Sequence, residues 1–331
     1  MLDTHYDLLT KLYICYKRND FSYIENWIKN YNSDNVNGLI ANLCFMSKDE
    51  MKNEYDKDYF KESDSVIDIF KVSTSLLKKY MSDNIKVYTS IEGCDYLNDE
   101  NDLVILKELG LDAIVPVWNC KSKFGSGNRS DDGLTPLGEK LISKAVELDL
   151  GIDLSHANEK TFWDIINYIK YNNLDAKIYA SHSNARSLCD TKRNLTNEQI
   201  KAISDLGGFI GIVSNSGFVD YKGYGKREEK RGTSQYNEYI EFLKNKYIEH
   251  IMFIHNLTGN IENICVSTDD MGFCELNDYV ECPIFDYKTV GKELRERLSK
   301  YYTNEEINKI MYENADKLLS RNKESKILRI K

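Results

Sequence analysis

Eight short apolar runs, each bounded by polar residues, recur along the 331-residue chain. After a very short first segment at residues 2–5 come GLIANLCFM (38–46), KVYTSIE (86–92) and DAIVPVW (112–118). Then follow GIDLSH (151–156), KIYASH (177–182), GGFIGIVS (207–214) and NICVSTD (263–269). Such runs read as strands, and most of the intervals between them are long enough for a helix. Helix-start signals fall in the intervals. Ser47-x-x-Glu50, Thr196-x-x-Gln199 and Thr303-x-x-Glu306 fit capping boxes, and Thr135-Pro136 fits an N-cap followed by proline at the first helical position. Eight strands alternating with helices predict an α/β fold, a (β/α)8 TIM barrel, with an open flavodoxin-like sheet as the poorer alternative. Pro116 conflicts with this reading, because a closed barrel has no edge strand to accommodate its missing N–H. A bulge there, or a strand that ends earlier, would resolve it.

Only three prolines occur and no Pro/Gly/Ser-rich linker interrupts the sequence, so residues 1–331 are expected to form a single barrel domain with carboxyl-terminal helices. A hydrophobic share of 41% supplies a substantial core. The net charge of −9 excludes a nucleic-acid partner, which calls for a basic face. No run of 18 apolar residues is present, so no membrane span is expected. The first twenty residues carry Asp3, His5 and Asp7 where a signal peptide would be basic and then apolar. Eight cysteines are scattered without a C-x-x-C pair, which reads as reduced, mostly buried thiols of a cytoplasmic protein.

The polar residues at the strand ends carry the chemistry. His5 and Asp7 follow the first strand, Glu92 ends the third, His156 the fifth, His182 the sixth and Asp269 the eighth. In a barrel the carboxyl-terminal strand ends converge on one rim, so residues far apart in sequence can share a site. Positions i and i+2 of extended chain face one way, which lets His5 and Asp7 grip one ion. Three imidazoles with two or three carboxylates suit Zn²⁺, and Mn²⁺, Co²⁺ or Fe²⁺ are compatible with the same donors. His250 and His255 lie in the apolar helical stretch IEHIMFIHNL and are expected to serve packing or surface.

The motifs, read in order, resemble one family. DTHYD (3–7), IEG (91–93), VWN (117–119), GLTPLGEKLISKAVELDLGIDLSH (133–156), SHSNARSLC (181–189), KRNLTNEQI (192–200), GGFIGI (207–212) and VSTDD (266–270) are similar to the membrane dipeptidase (renal dipeptidase) family of the amidohydrolase superfamily. That resemblance spans nearly the whole chain. It implies a dinuclear-zinc dipeptidase that cuts the amide bond of short peptides, with a D-residue allowed at the carboxyl terminus, through a hydroxide that bridges the metals. His5 and Asp7 would bind one ion, His156 and His182 the other, and Glu92 would bridge them. Asp269 matches the acid that handles the proton of the water. Arg193 matches the arginine that holds substrate, and Trp118 and Asn119 fall in the substrate-contacting VWN segment. Homodimers are common in the family.

The chain departs from the family pattern at Trp118, at Met271 and in an unusually abbreviated start to its first strand. Trp118 occupies the place of a histidine thought to contact the substrate carbonyl, and tryptophan can only donate, through its indole N–H. Met271 stands where the family often has a second acid. The segment 219–231 adds five basic residues among three acids, which could attract an anionic substrate or be a solvated loop. Two other readings are therefore kept: hydrolysis of another small amide or peptide-derived metabolite, and a catalytically silent, peptide-binding barrel.

Overall fold

The structure, a computed structural model, describes residues 1–30, 35–45, 64–81, 84–220, 233–270 and 284–321. Each apolar run forms a strand: β1 (Leu2–Tyr6), β2 (Gly38–Cys44), β3 (Lys86–Glu92), β4 (Ala113–Val115), β5 (Gly151–Asp153), β6 (Lys177–Tyr179), β7 (Ile210–Val213) and β8 (Ile264–Ser267). Neighbouring strands pair in parallel in the spatial order β6-β5-β4-β3-β2-β1-β8-β7. The ends of that order meet. Ala180 bridges Ile210 in parallel, with Ala180 N–H donating to the Phe209 carbonyl at 2.9 Å and Gly211 N–H to the Ala180 carbonyl at 2.8 Å. The sheet thus closes into the expected barrel, and the open-sheet alternative falls.

The Pro116 conflict is resolved by the strand boundary. β4 ends at Val115, so the predicted 112–118 run overreached and Pro116 lies beyond the ladder. Its carbonyl accepts the Cys94 N–H at 3.3 Å, a bond that needs no donor from proline. Three of the four helix-start signals hold. Thr135 caps the helix Pro136–Glu147, with Pro136 in its first turn, and complete capping boxes open the helices Asn197–Asp205 and Asn304–Asn308. The fourth, Ser47-x-x-Glu50, lies outside the described residues, as do Met271 and nearly all of the basic segment 219–231.

Alternation along the strands sorts the barrel interior into a floor and a rim. Leu2, Ile40, Tyr88 and Cys265, near the amino-terminal ends of their strands, form with Tyr179 and Phe209 a separate buried cluster against Ala315, Leu318 and Leu319 of the helix Asn314–Ser320. The carboxyl-terminal helix therefore plugs one end. Two residues further along the same strands the inward positions turn polar, at Asn42, Ser90, Ser181 and Ser267. Water-seeking groups inside a barrel must find partners there or bind something.

The described residues include no helix long and apolar enough to cross a membrane. His250 is buried in the helix Ser234–Thr258, where it accepts the Ala185 N–H at 3.1 Å and lies 3.0 Å from the Val219 carbonyl. His255 packs its ring 5.6 Å from Tyr302. Both do what the apolar pattern indicates.

Closure leaves no room at Gly211, where a Cβ would collide with the Ser181 carbonyl oxygen and Thr4 Oγ1. Gly211→Ala should cost about 1–3 kcal/mol or more through overpacking, read as a lowered urea midpoint; unchanged stability would show that the β6–β7 seam is looser than described.

Candidate metal centre

Glu92 ends β3 on the inward face that also carries Tyr88 and Ser90, and it is only 2% exposed. Gly93 follows with φ +82°, a left-handed conformation in which a side chain would also strike the Phe45 carbonyl. That glycine turns the chain away at once and leaves the carboxylate at the mouth of the barrel.

The β1 register slips between Asp3 and Tyr6, an irregularity that interrupts simple alternation and brings His5 onto the inward face. His5 Nε2 lies 3.6 Å from Glu92 Oε2, 3.8 Å from Asp7 Oδ1 and 3.8 Å from Asp269 Oδ1. On the opposite side Glu92 Oε1 lies 2.8 Å from His156 Nε2 and 3.4 Å from His182 Nε2, and those two nitrogens are 2.9 Å apart. Each oxygen of one carboxylate thus faces a different set of ligand atoms, which is the arrangement a bridge requires. All six residues singled out at strand ends meet here.

Neighbouring groups fix the imidazoles. His156 Nδ1 faces Asn119 Oδ1 at 3.0 Å, while His5 Nδ1 and His182 Nδ1 lie 3.1 and 2.7 Å from Ser181 Oγ. Asn119 Oδ1 can only accept, which places the His156 proton on Nδ1; with Ser181 Oγ accepting, His182 carries its proton on Nδ1 as well, and both Nε2 lone pairs turn inward. His156 Nε2, His182 Nε2 and Glu92 Oε1 then converge as three acceptors within 3.4 Å of one another. Such a cluster repels itself unless a cation sits among the lone pairs. Two overlapping donor sets, His5–Glu92–His182 and His5–Asp7–Asp269, each have ligand atoms within 4.8 Å. Nitrogen and oxygen donors of this kind suit a borderline divalent ion.

The protonation pattern carries the same signature. Burial raises Asp7, reinforced by Glu92 and Asp269, while His5 opposes it. Burial works against charge on Glu92 too, yet His5 and His156 outweigh it and hold the carboxyl well below its usual range. Burial together with Arg193 lowers His156 to about 4, and burial with the charges of His5 and Arg193 holds His182 well below its ordinary value. His5 goes the other way: burial opposes its charge, but Glu92, Asp7 and Asp269 prevail and raise it to about 10. Burial pushes Asp269 up to about 6, with the Glu92 charge adding to it.

Asp269 itself is a non-glycine residue at φ +59°, with its N–H donating to the His5 carbonyl at 3.2 Å. Left-handed backbone in such a residue is strain of the kind concentrated at working sites. Arg193 reaches the same rim from the connection after β6. Its guanidinium donates to the carbonyls of Ser155 and His182, lies 3.3 Å from His156 Nε2 and stacks 5.2 Å from the Phe218 ring. Trp118, half-buried, has its ring 5.8 Å from that of His156. Asn119, expected to meet substrate, also touches the back of His156.

Two features escaped the sequence reading. Asn42, fully buried on β2, donates through Nδ2 to Asp7 Oδ1 at 2.9 Å and Glu92 Oε2 at 3.0 Å. Ser181 adjoins two of the three histidines gathered here. A signal existed for Asn42, a lone polar residue inside the apolar run GLIANLCFM; nothing local marks Ser181 out from any other serine.

The family model for membrane dipeptidase (peptidase family M19) matches residues 54–327. The chain belongs to the membrane dipeptidase family. Among curated proteins, it is 34% identical over 164 residues to an uncharacterized protein in the pqqA 5' region of Klebsiella pneumoniae, covering 47% of this chain and 58% of that protein. It is 31% identical over 131 residues to dipeptidase 3 of Mus musculus, covering 36% and 26%. The matched part thus spans little more than half the length of the first relative and less of the second. The fold resembles a metallo peptidase from Rhodobacter sphaeroides, solved with a phosphinate mimic of the dipeptide L-Ala-D-Ala, at TM-score 0.71. Identity is 19%, with 97% of this chain and 98% of that chain covered.

With Glu92, Asp7 and Asp269 raising the His5 pKa to about 10, a proton on Nε2 must leave before that nitrogen can coordinate. Metal uptake near neutral pH should release about one proton or more per chain, and affinity should rise with pH. Calorimetric titration in two buffers of different ionisation enthalpy reads the number directly; zero release would remove His5 from the ligand set.

Proposed function

We propose that the protein is a dipeptidase whose centre holds two divalent ions, zinc by the chemistry of its donors, and that it hydrolyses short peptides with a free carboxyl terminus. The observation that carries this reading is Glu92, whose two oxygens face His5 with Asp7 on one side and His156 with His182 on the other. The phosphinate dipeptide mimic bound by the Rhodobacter neighbour supports a dipeptide substrate and a D-residue in second position. Ions bound here would act as Lewis acids, polarising the scissile carbonyl and acidifying the attacking water.

The chain's own residues supply the remaining steps. Asp269, on the His5 side with 22% of its side chain still exposed, takes the proton of the attacking water at its carboxylate and delivers it to the leaving amine nitrogen. Arg193 offers its guanidinium to a carboxylate or to the oxyanion. Trp118 makes one wall of the substrate pocket and, lacking an acceptor, holds it by shape and through its indole N–H.

Trp118 also favours a second reading, in which the same centre cuts another small amide or a peptide-derived metabolite. The intact ligand set, with Asp269 beside it, weighs against a silent binder.

Elemental analysis of protein purified without chelator should approach two ions per chain; a folded, metal-free protein would overturn the reading. Asp269→Asn should retain its metal while turnover falls about 10²–10⁴-fold; undiminished turnover would take Asp269 out of the reaction. A panel of L,L- and L,D-dipeptides, set against N-acyl amino acids, decides between the two substrate readings.

A further inference from the structure

The Ser181 hydroxyl stands where no single imidazole needs it, between two of them. The rings of His5 and His182 lie against each other, tilted by 36° with centroids 3.7 Å apart, and both turn Nδ1 toward the same Oγ. A hydroxyl oxygen has two lone pairs and one proton, so it can accept from both rings only if its own proton goes elsewhere.

The groups behind it provide that outlet in one direction. Asp153, 2% exposed, collects on Oδ1 the N–H groups of Ser155 and Ser181, both at 3.0 Å, and the Ser155 hydroxyl at 2.6 Å. A carboxylate oxygen with three donors is an acceptor, so the Ser155 proton points at Asp153. Ser155 Oγ is then left to accept from the His182 N–H at 3.1 Å and from Ser181 Oγ, 3.5 Å away. That orientation turns both lone pairs of Ser181 toward the histidines.

We propose that Ser181 is a positioning residue shared by both halves of the metal centre: one hydroxyl, held in its acceptor orientation by Ser155 and Asp153, sets the metal-facing tautomer of His5 and His182 together. The proposal rests on the two-ion reading above. Its consequence is coupling, because a single atom prepares a ligand of each ion.

The test titrates the metal-free full-length chain with Zn²⁺ against a chelating dye, for wild type, Ser181→Ala and Ser155→Ala. Ser181→Ala should weaken both binding steps about 10- to 100-fold, the usual scale for losing an outer partner of a ligating histidine. Ser155→Ala should weaken both by less, since the imidazoles keep their acceptor. Nitrogen-15 spectra of the histidines in the metal-free protein should show Nδ1–H at His182 in wild type and a mixture of Nδ1–H and Nε2–H in Ser181→Ala, a change that a merely structural defect would not produce. Wild-type affinity in Ser181→Ala, loss confined to one binding step, or an unchanged tautomer would each overturn the shared role. If wild type itself takes up a single ion, the two-ion reading fails with the coupling, while the tautomer spectra still report whether Ser181 orients His182. Should Ser181→Ala not fold, Ser155→Ala carries the same readouts, and wild-type affinity with an unshifted tautomer there would overturn the relay.

Discussion

A carboxylate buried in the mouth of a barrel cannot stand alone, and Glu92 is the group around which this molecule is arranged. It is shut away from solvent, so its charge must be balanced within a few ångströms. Three imidazoles from three different strand ends and the amide of Asn42 surround it. None of those partners is close to Glu92 in sequence. Only a closed parallel sheet, whose strands all finish on one rim, brings them to the same carboxylate.

The balance struck without a cation is uneven. His5 keeps a proton for the acids that crowd it, whereas His156 and His182 are kept neutral by burial and by the Arg193 charge. One side of Glu92 therefore carries a proton that a divalent ion would displace, and the other crowds His156 Nε2, His182 Nε2 and Glu92 Oε1 within 3.4 Å of one another. A cation held by these donors would relieve that crowding.

The support behind the ligands follows from the strand period of two. Inward positions pass from apolar at the floor to polar one step higher and to the carboxylates of the centre at the rim, as in Tyr88–Ser90–Glu92 and Cys265–Ser267–Asp269. The middle layer is where Asn42 and Ser181 sit. It is small and polar because it must hydrogen-bond the ligands above while leaving room for the backbone at Gly211.

The sequence by itself determined the strand count, three of the helix caps and the six polar residues that meet at the rim, because apolar runs, capping boxes and the rare histidines are local signals. It also placed His250 in a packed helix. It misjudged the end of β4 by running the apolar pattern through Pro116, since hydropathy does not report where a hydrogen-bond ladder stops. What only the tertiary structure decided is which ligand faces which oxygen of Glu92, that Asn119 backs His156, and that Asn42 and Ser181 belong to the centre. Those facts are distances between side chains from separate strands, and barrel closure and the slipped register of β1 set them. A serine that two histidines share looks, in one dimension, like any other serine.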